Sequence, residues 1–204
     1  SRAVAEIKRT PVLVEDAIPV LDTGRFEQMQ RSALAMARGS YVPVSLKGQS
    51  FDEAVANCFR IVNQAVRWGC DPFALIDHAS IIHGRLCWEG KVIAAIVNTA
   101  GKLVGSLAYT YEGDGKARAV VVSGTLIGER EPRTIHGTAG AWATDNPKWR
   151  DMTDQMLAYR GAREWARRYT PEVMLGIWDE DEINLEANRR IRTLVPGADG
   201  IHRP

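Results

Sequence analysis

Residues 146–183 read NPKWRDMTDQMLAYRGAREWARRYTPEVMLGIWDEDEI, a segment that carries six basic residues and then turns abruptly acidic. Two helix-start signals precede its periodic part, Asn146 with Pro147 and then Asp151 or Thr153, and Pro171 marks its end. Ala158, Ala162, Trp165 and Tyr169 follow at spacings of four, three and four. They share one helix face, whose alanines let a neighbouring backbone approach closely. Met156, Arg160, Arg163 and Arg167 follow at the same spacings on a second face, which lines up the guanidinium groups over about two turns, roughly 10 Å. Such a row matches a polyanion, because the planar guanidinium fork suits phosphate oxygens. It equally suits a solvated face whose charges pair with acids elsewhere. Lys148 and Arg150 extend the basic character upstream, and Trp149, like Trp142, is placed either to stack on bases or to pack. Asp179, Glu180, Asp181 and Glu182 read either as acids favoured by the dipole of a short helix's first turn or as a contact for a basic surface of a neighbouring copy.

Moving upstream, residues 103–127 hold two runs rich in Val, Leu, Tyr and Thr joined across Gly113, Asp114 and Gly115, which predicts a β-hairpin. Residues 128–145 are turn-rich, with Arg130 and Arg133 beside short extended pieces. Residues 79–101 predict a small hairpin followed by a helix from about Lys91 to Thr99. Ser50 and Glu53 make a capping-box pattern ahead of Val55, Cys58, Phe59, Val62 and Val66, with Gly69 as the stop. A shorter helix is predicted from Phe26 to Arg38 on the spacing of Phe26, Met29, Leu34 and Met36. Residues 1–21 have two prolines and no helical period, so they read as an extended arm. Helices, a small antiparallel sheet and further helices make an α+β fold, without the strand–helix alternation of a parallel nucleotide-binding sheet. The expected organisation is the arm at 1–21, a single domain over 22–190 and an extension over 191–204.

Lys plus Arg number 26 against 25 for Asp plus Glu in 204 residues, so an anionic partner follows from where charges sit, not from their total. Three cysteines without a CxxC pair fit a reducing compartment, and the cytoplasm is expected. No apolar run approaches the roughly 18 residues of a membrane span, and no signal-peptide pattern opens the chain, so no membrane partner is expected. The acids at 179–182 invite a Mg²⁺ nuclease reading, but consecutive carboxylates on a helix point in different directions. Cys70, His78, His83 and Cys87 are zinc-type ligands at spacings that match no familiar knuckle. The glycines of GTLIGEREPRTIHGTAG form neither a P-loop nor a dinucleotide fingerprint.

QMLAYRGAREWARRYTPEVMLGIWDEDE resembles the end of the core of the RecT/Redβ family of phage single-strand annealing proteins. Met156-Leu157, Arg160, Ala166-Arg167 and Gly176-Ile177-Trp178-Asp179 with Asp181-Glu182 fill the family's positions in order. CFRIVNQAVRWGCDPFALIDHASII and GKVIAAIVNTAG are similar to an upstream helix, turn, strand and helix, so the resemblance spans about residues 51–186. It implies a non-enzymatic protein that forms rings or helical filaments and holds single-stranded DNA by its backbone in a basic groove while a complementary strand pairs. Arg160 and Arg167 fall at basic positions expected to touch DNA, and the helical face adds Arg163. The implied partners are single-stranded DNA, the annealed duplex intermediate, further copies of the chain, a 5′-to-3′ exonuclease and a host single-strand binding protein. No cofactor is expected, with Mg²⁺ entering only through the DNA, and the expected setting is a bacterial cell with a phage or prophage gene. The alternatives are a coating protein that does not anneal and a Mg²⁺-dependent nuclease.

Overall fold

The computed structural model describes residues 19–183. The arm expected over 1–21 lies outside the described residues except for a 3₁₀ turn at Pro19–Leu21. The extension expected over 191–204 lies outside them entirely. The described chain forms two compact units that divide between Asp77 and His78.

The first unit is a pair of helices, α1 (Thr23–Ala37) and α2 (Phe51–Trp68). Asp22 caps α1 by accepting from the Arg25 N–H at 2.7 Å, satisfying one of the donors that every helix start leaves open. Met29, Ala33 and Met36 are its buried residues, so Ala33 takes the place on the stripe that the sequence spacing assigned to Leu34. The capping box of α2 forms with one shift. Ser50 Oγ accepts from the Glu53 N–H at 3.1 Å, while the Glu53 carboxylate reaches past Ser50 to the Gln49 N–H at 2.8 Å. Gly69 ends α2 in the left-handed conformation, φ 66° and ψ 32°, where glycine carries no side-chain penalty. Between the helices, Phe26 and Phe59 meet edge to face with centroids 5.2 Å apart.

The second unit begins with a hairpin, β1 (Ala79–Ile82) and β2 (Arg85–Trp88). His83 and Gly84 turn it with φ of 50° and 75°, the positive values that match the twist of the flanking strands. Helix α3 (Gly90–Thr99) follows and buries Val92, Ile93, Ile96 and Val97. The second hairpin is β3 (Ala108–Glu112) with β4 (Ala119–Gly124), as the runs around Gly113 predict. It is extended by β5 (Arg133–Thr138), which makes the extended piece beside Arg133, read within turn-rich 128–145, a third strand of the sheet. That strand has only Ile135 and Gly137 buried among polar neighbours, so no apolar alternation announces it. Its pairing comes from β4 and from a helix that the chain reaches later.

That helix is α4 (Thr153–Tyr169), which packs across β4 and β5 on one side and α3 on another. Both start signals in the sequence are used. A one-turn helix occupies Lys148–Asp151, Met152 breaks it at φ −140° and ψ 47°, and α4 begins at Thr153. Ala162 and Trp165 are fully buried, as their shared face predicts. Trp165 Nε1 donates to the Arg133 carbonyl at 2.8 Å and the Tyr169 hydroxyl donates to the Thr134 carbonyl at 2.9 Å. The helix approaches the sheet so closely that a Cβ on Gly161 would sit 2.5 Å from Val122 Cγ2. After α4 the chain returns as a two-residue strand, β6 (Trp178–Asp179), parallel to β2. The fold is α+β, with two three-stranded sheets in the orders β1-β2-β6 and β3-β4-β5.

Gly161→Ala raises helix propensity yet forces a methyl into Val122, so it is expected to destabilise the fold by about 1–3 kcal/mol. Val122→Ala should relieve part of that loss. Denaturant unfolding of the two single variants and the double variant measures it, and strict additivity would refute the contact as the cause.

Candidate nucleic-acid interface

Arg160, Arg163 and Arg167 share one face of α4, as their spacing requires, but they do not form an open ladder. Arg163 is 3% exposed and sits against Asp179, with Nη1 2.9 Å from Oδ1. Its Nη2 lies 3.4 Å from Glu164 Oε1. Arg167 donates through both terminal nitrogens to the two oxygens of Glu182. Arg160 donates to the Trp142 carbonyl, lies over that indole at 5.6 Å, and stands 3.8 Å from the Glu164 carboxylate.

The acids at 179–182 are the other half of this arrangement. Besides Asp179 and Glu182, Glu180 accepts from Ser80 Oγ at 2.6 Å and Asp181 accepts from Asn146 Nδ2 at 3.1 Å. The Asp181 N–H also donates to Asp179 Oδ1 at 2.9 Å. The four carboxylates read as a contact for a neighbouring copy therefore each make bonds within the chain. The parallel pairing of β6 with β2 and the stacking of Arg85 on Trp178, 4.3 Å to the ring centroid, hold the segment in place.

Burial dominates the electrostatics here. It pushes the Asp179 carboxyl above the usual carboxylate range in spite of the adjacent Arg163. Burial opposes the charge of Glu182 too, but the Arg167 hydrogen bonds and the charges of Arg163 and Arg167 win and hold its carboxyl below that range. The same bonds outweigh desolvation at Arg167 and raise its pKa. Arg160 is shifted down by burial and then by the charge of Arg163.

Four of the residues read from the sequence as candidate nucleic-acid contacts meet at one cleft of about 240 Å³: Lys148, Trp149, Arg160 and Arg163. Lys91, at the start of α3, brings a further cation to the lining, and Glu89, Asp179, Glu180 and Asp181 bring carboxylates. Gly90, Asn146, Met152, Gln155, Met156 and Tyr159 complete it, and sequence spacing gave no reason to group them with Lys91. Arg150 belongs to the same one-turn helix but projects into solvent, 82% exposed, beside Asp151 at 2.8 Å. Arg130 and Arg133 belong to the approach and start of β5. Arg133 is paired with Glu129 at 2.7 Å and lies over the Tyr169 ring, while Arg130 is exposed.

Among the described residues no group of three or more His, Cys, Asp or Glu side chains is arranged to hold a metal ion. The three cysteines are unpaired, and burial pushes the Cys87 thiol up to about 11, far from a reactive thiolate. No helix among the described residues is long and apolar enough to cross a membrane.

The second unit is thus an α+β module in which a buried arginine–carboxylate face lies on a long helix against a three-stranded sheet, with a mixed-charge cleft beside it. The model of the RecT family matches residues 88–196, and the chain belongs to that family. It is thereby a protein of the single-strand annealing type that acts in DNA recombination. The match takes in α3, both later hairpin strands, β5, α4 and β6, and begins downstream of α2, which the sequence resemblance had included. No curated protein and no solved structure matches the chain.

The Glu182 carboxyl has its folded pKa below its unfolded value, so its contribution to stability is complete above the ordinary carboxylate range of roughly 4.3 and disappears as pH falls through the lower folded value. Asp179, shifted up, acts in the opposite sense: its contribution to the fold is complete below the unfolded value and is lost as pH rises through the raised folded value. Glu182→Gln is expected to cost roughly 2 kcal/mol at pH 7 and to flatten the acid limb of the stability curve. Urea unfolding from pH 3 to 7 tests this, and an unchanged acid limb would remove Glu182 from the account.

Proposed function

We propose that the chain binds single-stranded DNA through its sugar-phosphate backbone, assembles with further copies into rings or helical filaments, and promotes pairing of complementary strands. The observation that carries the reading is the family match together with the exposed cations Lys148 and Arg150 on the one-turn helix ahead of α4. A protein that accepts any sequence must grip what all strands share, which is the phosphate chain, and leave most Watson–Crick edges free.

The exposed cations suit phosphate contact best. Lys148 has no carboxylate partner among the described residues, and Arg150 stands in solvent beside Asp151. Arg160 is the member of the α4 row closest to serving a strand directly, being partly exposed and bound to a carbonyl and not to a bidentate acid. Arg163 and Arg167 act from behind, holding the 179–182 segment in position. Arg130 and Arg133 would meet the strand further along, at β5. No cofactor is needed for such a mechanism, and Mg²⁺ would act on the DNA. A 5′-to-3′ exonuclease that exposes single strands and a host single-strand binding protein are the proposed companions in a bacterial cell.

Two complementary labelled oligonucleotides test the reading. Annealing by the protein should accelerate their pairing and retain the duplex, whereas coating alone would slow it, and shortened strands in Mg²⁺ would point to a nuclease. Lys148→Ala and Arg150→Ala should each weaken binding regardless of base sequence and lower the salt slope by about 0.7, one phosphate's worth on a single strand. Arg167→Ala should instead lower the melting temperature with little change in salt slope. A slope unchanged in both the Lys148 and Arg150 variants would move the phosphate path elsewhere.

A further inference from the structure

The cleft beside α4 is not built for a phosphate. Its lining carries four cations, Lys91, Lys148, Arg160 and Arg163, and these are matched by four carboxylates, Glu89, Asp179, Glu180 and Asp181. A phosphate entering such a site would gain from the first set and lose to the second. The lining suits a neutral group that both donates and accepts hydrogen bonds.

Its walls describe that group further. Met152 and Met156 supply polarisable thioethers, and Tyr159 supplies ring surface, the surroundings in which a flat heteroaromatic ring is held by stacking and S–aromatic contact. Asn146 and Gln155 add side-chain amides, groups that both donate and accept. At about 240 Å³ the space accommodates one planar base but not a stacked pair.

We propose that this cleft takes a single unstacked nucleobase from the bound strand, one in each protomer. The inference rests on the reading that the chain binds single-stranded DNA, and it adds a contact that the phosphates do not make. The base is held by ring surface and hydrogen bonds and not by net charge, so its share of the affinity is nearly independent of salt. The seated base would also mark off the run of bases that each protomer leaves open for pairing.

The test compares binding of a labelled oligothymidylate with that of an equally long strand of stable abasic sites, by fluorescence anisotropy at matched salt. The wild-type chain should bind the abasic strand about tenfold more weakly. Met156→Trp, which fills the half-exposed side of the cleft, should bring oligothymidylate binding down to the abasic level while the salt slope stays as in the wild type. Tyr159→Leu keeps apolar bulk at the cleft and removes its ring, so its preference for bases over abasic sites should fall several-fold while the salt slope stays as in the wild type. If Met156→Trp does not fold, the Tyr159→Leu result decides. Equal binding of the two strands by the wild-type chain would overturn the base site and leave the DNA-binding reading intact. A base preference that survives in the variants would place the base elsewhere and likewise overturn it. Failure to bind either strand at low salt would instead overturn the DNA-binding reading itself.

Discussion

Arg163 lies inside the second unit at 3% exposure, and a buried guanidinium must have its charge met. The chain meets it with Asp179, which arrives from 16 residues downstream on the short strand β6. That one requirement positions a good deal else. It draws the segment after α4 back over the helix, where β6 pairs with β2 and so connects the first hairpin to the helix. It also brings Glu182 within reach of Arg167. Removing one partner of a pair this deep would strand the other, at a cost of about 3–5 kcal/mol. Such a pair contributes less to net stability than to selecting one arrangement among several that would bury the same apolar surface.

The same pairing alters what the basic face can do. Three arginines in a row invite the picture of phosphates lying along them, but all three stand within ion-pair distance of carboxylates, and Arg163 has almost no contact with solvent. Field strength at the surface then comes from exposed cations such as Lys148 and Arg150, while the arginine row becomes a scaffold. This division of labour suits an annealing protein.

The sheet contributes the second constraint. Helix α4 comes within backbone distance of β4 because Gly161 has no side chain to hold it off Val122. The approach lets Trp165 and Tyr169 reach the carbonyls of Arg133 and Thr134 and so fasten β5, a strand with little apolar content of its own. Rigid placement of α4 carries over to the cleft, since Gln155, Met156, Tyr159, Arg160 and Arg163 are all on this helix.

Local chemistry was legible wherever neighbours in sequence decide the conformation. The capping box at Ser50, the glycine stop at Gly69, the hairpin across Gly113 and the two helix starts around Met152 all depend on residues within a few positions of one another. The common face of Arg160, Arg163 and Arg167 was legible for the same reason, since it follows from 3.6 residues per turn. Strand β5 was not legible, because its stabilising partners, β4 and α4, lie outside its own six residues. Nor was the fate of the charges. Sequence spacing tells which groups share a face, but whether that face looks at water or at a carboxylate depends on where a distant segment returns. Only the packed chain could place Asp179 on Arg163 and Lys91 beside Lys148, since burial and pairing energies arise between groups that the backbone brings together from far apart.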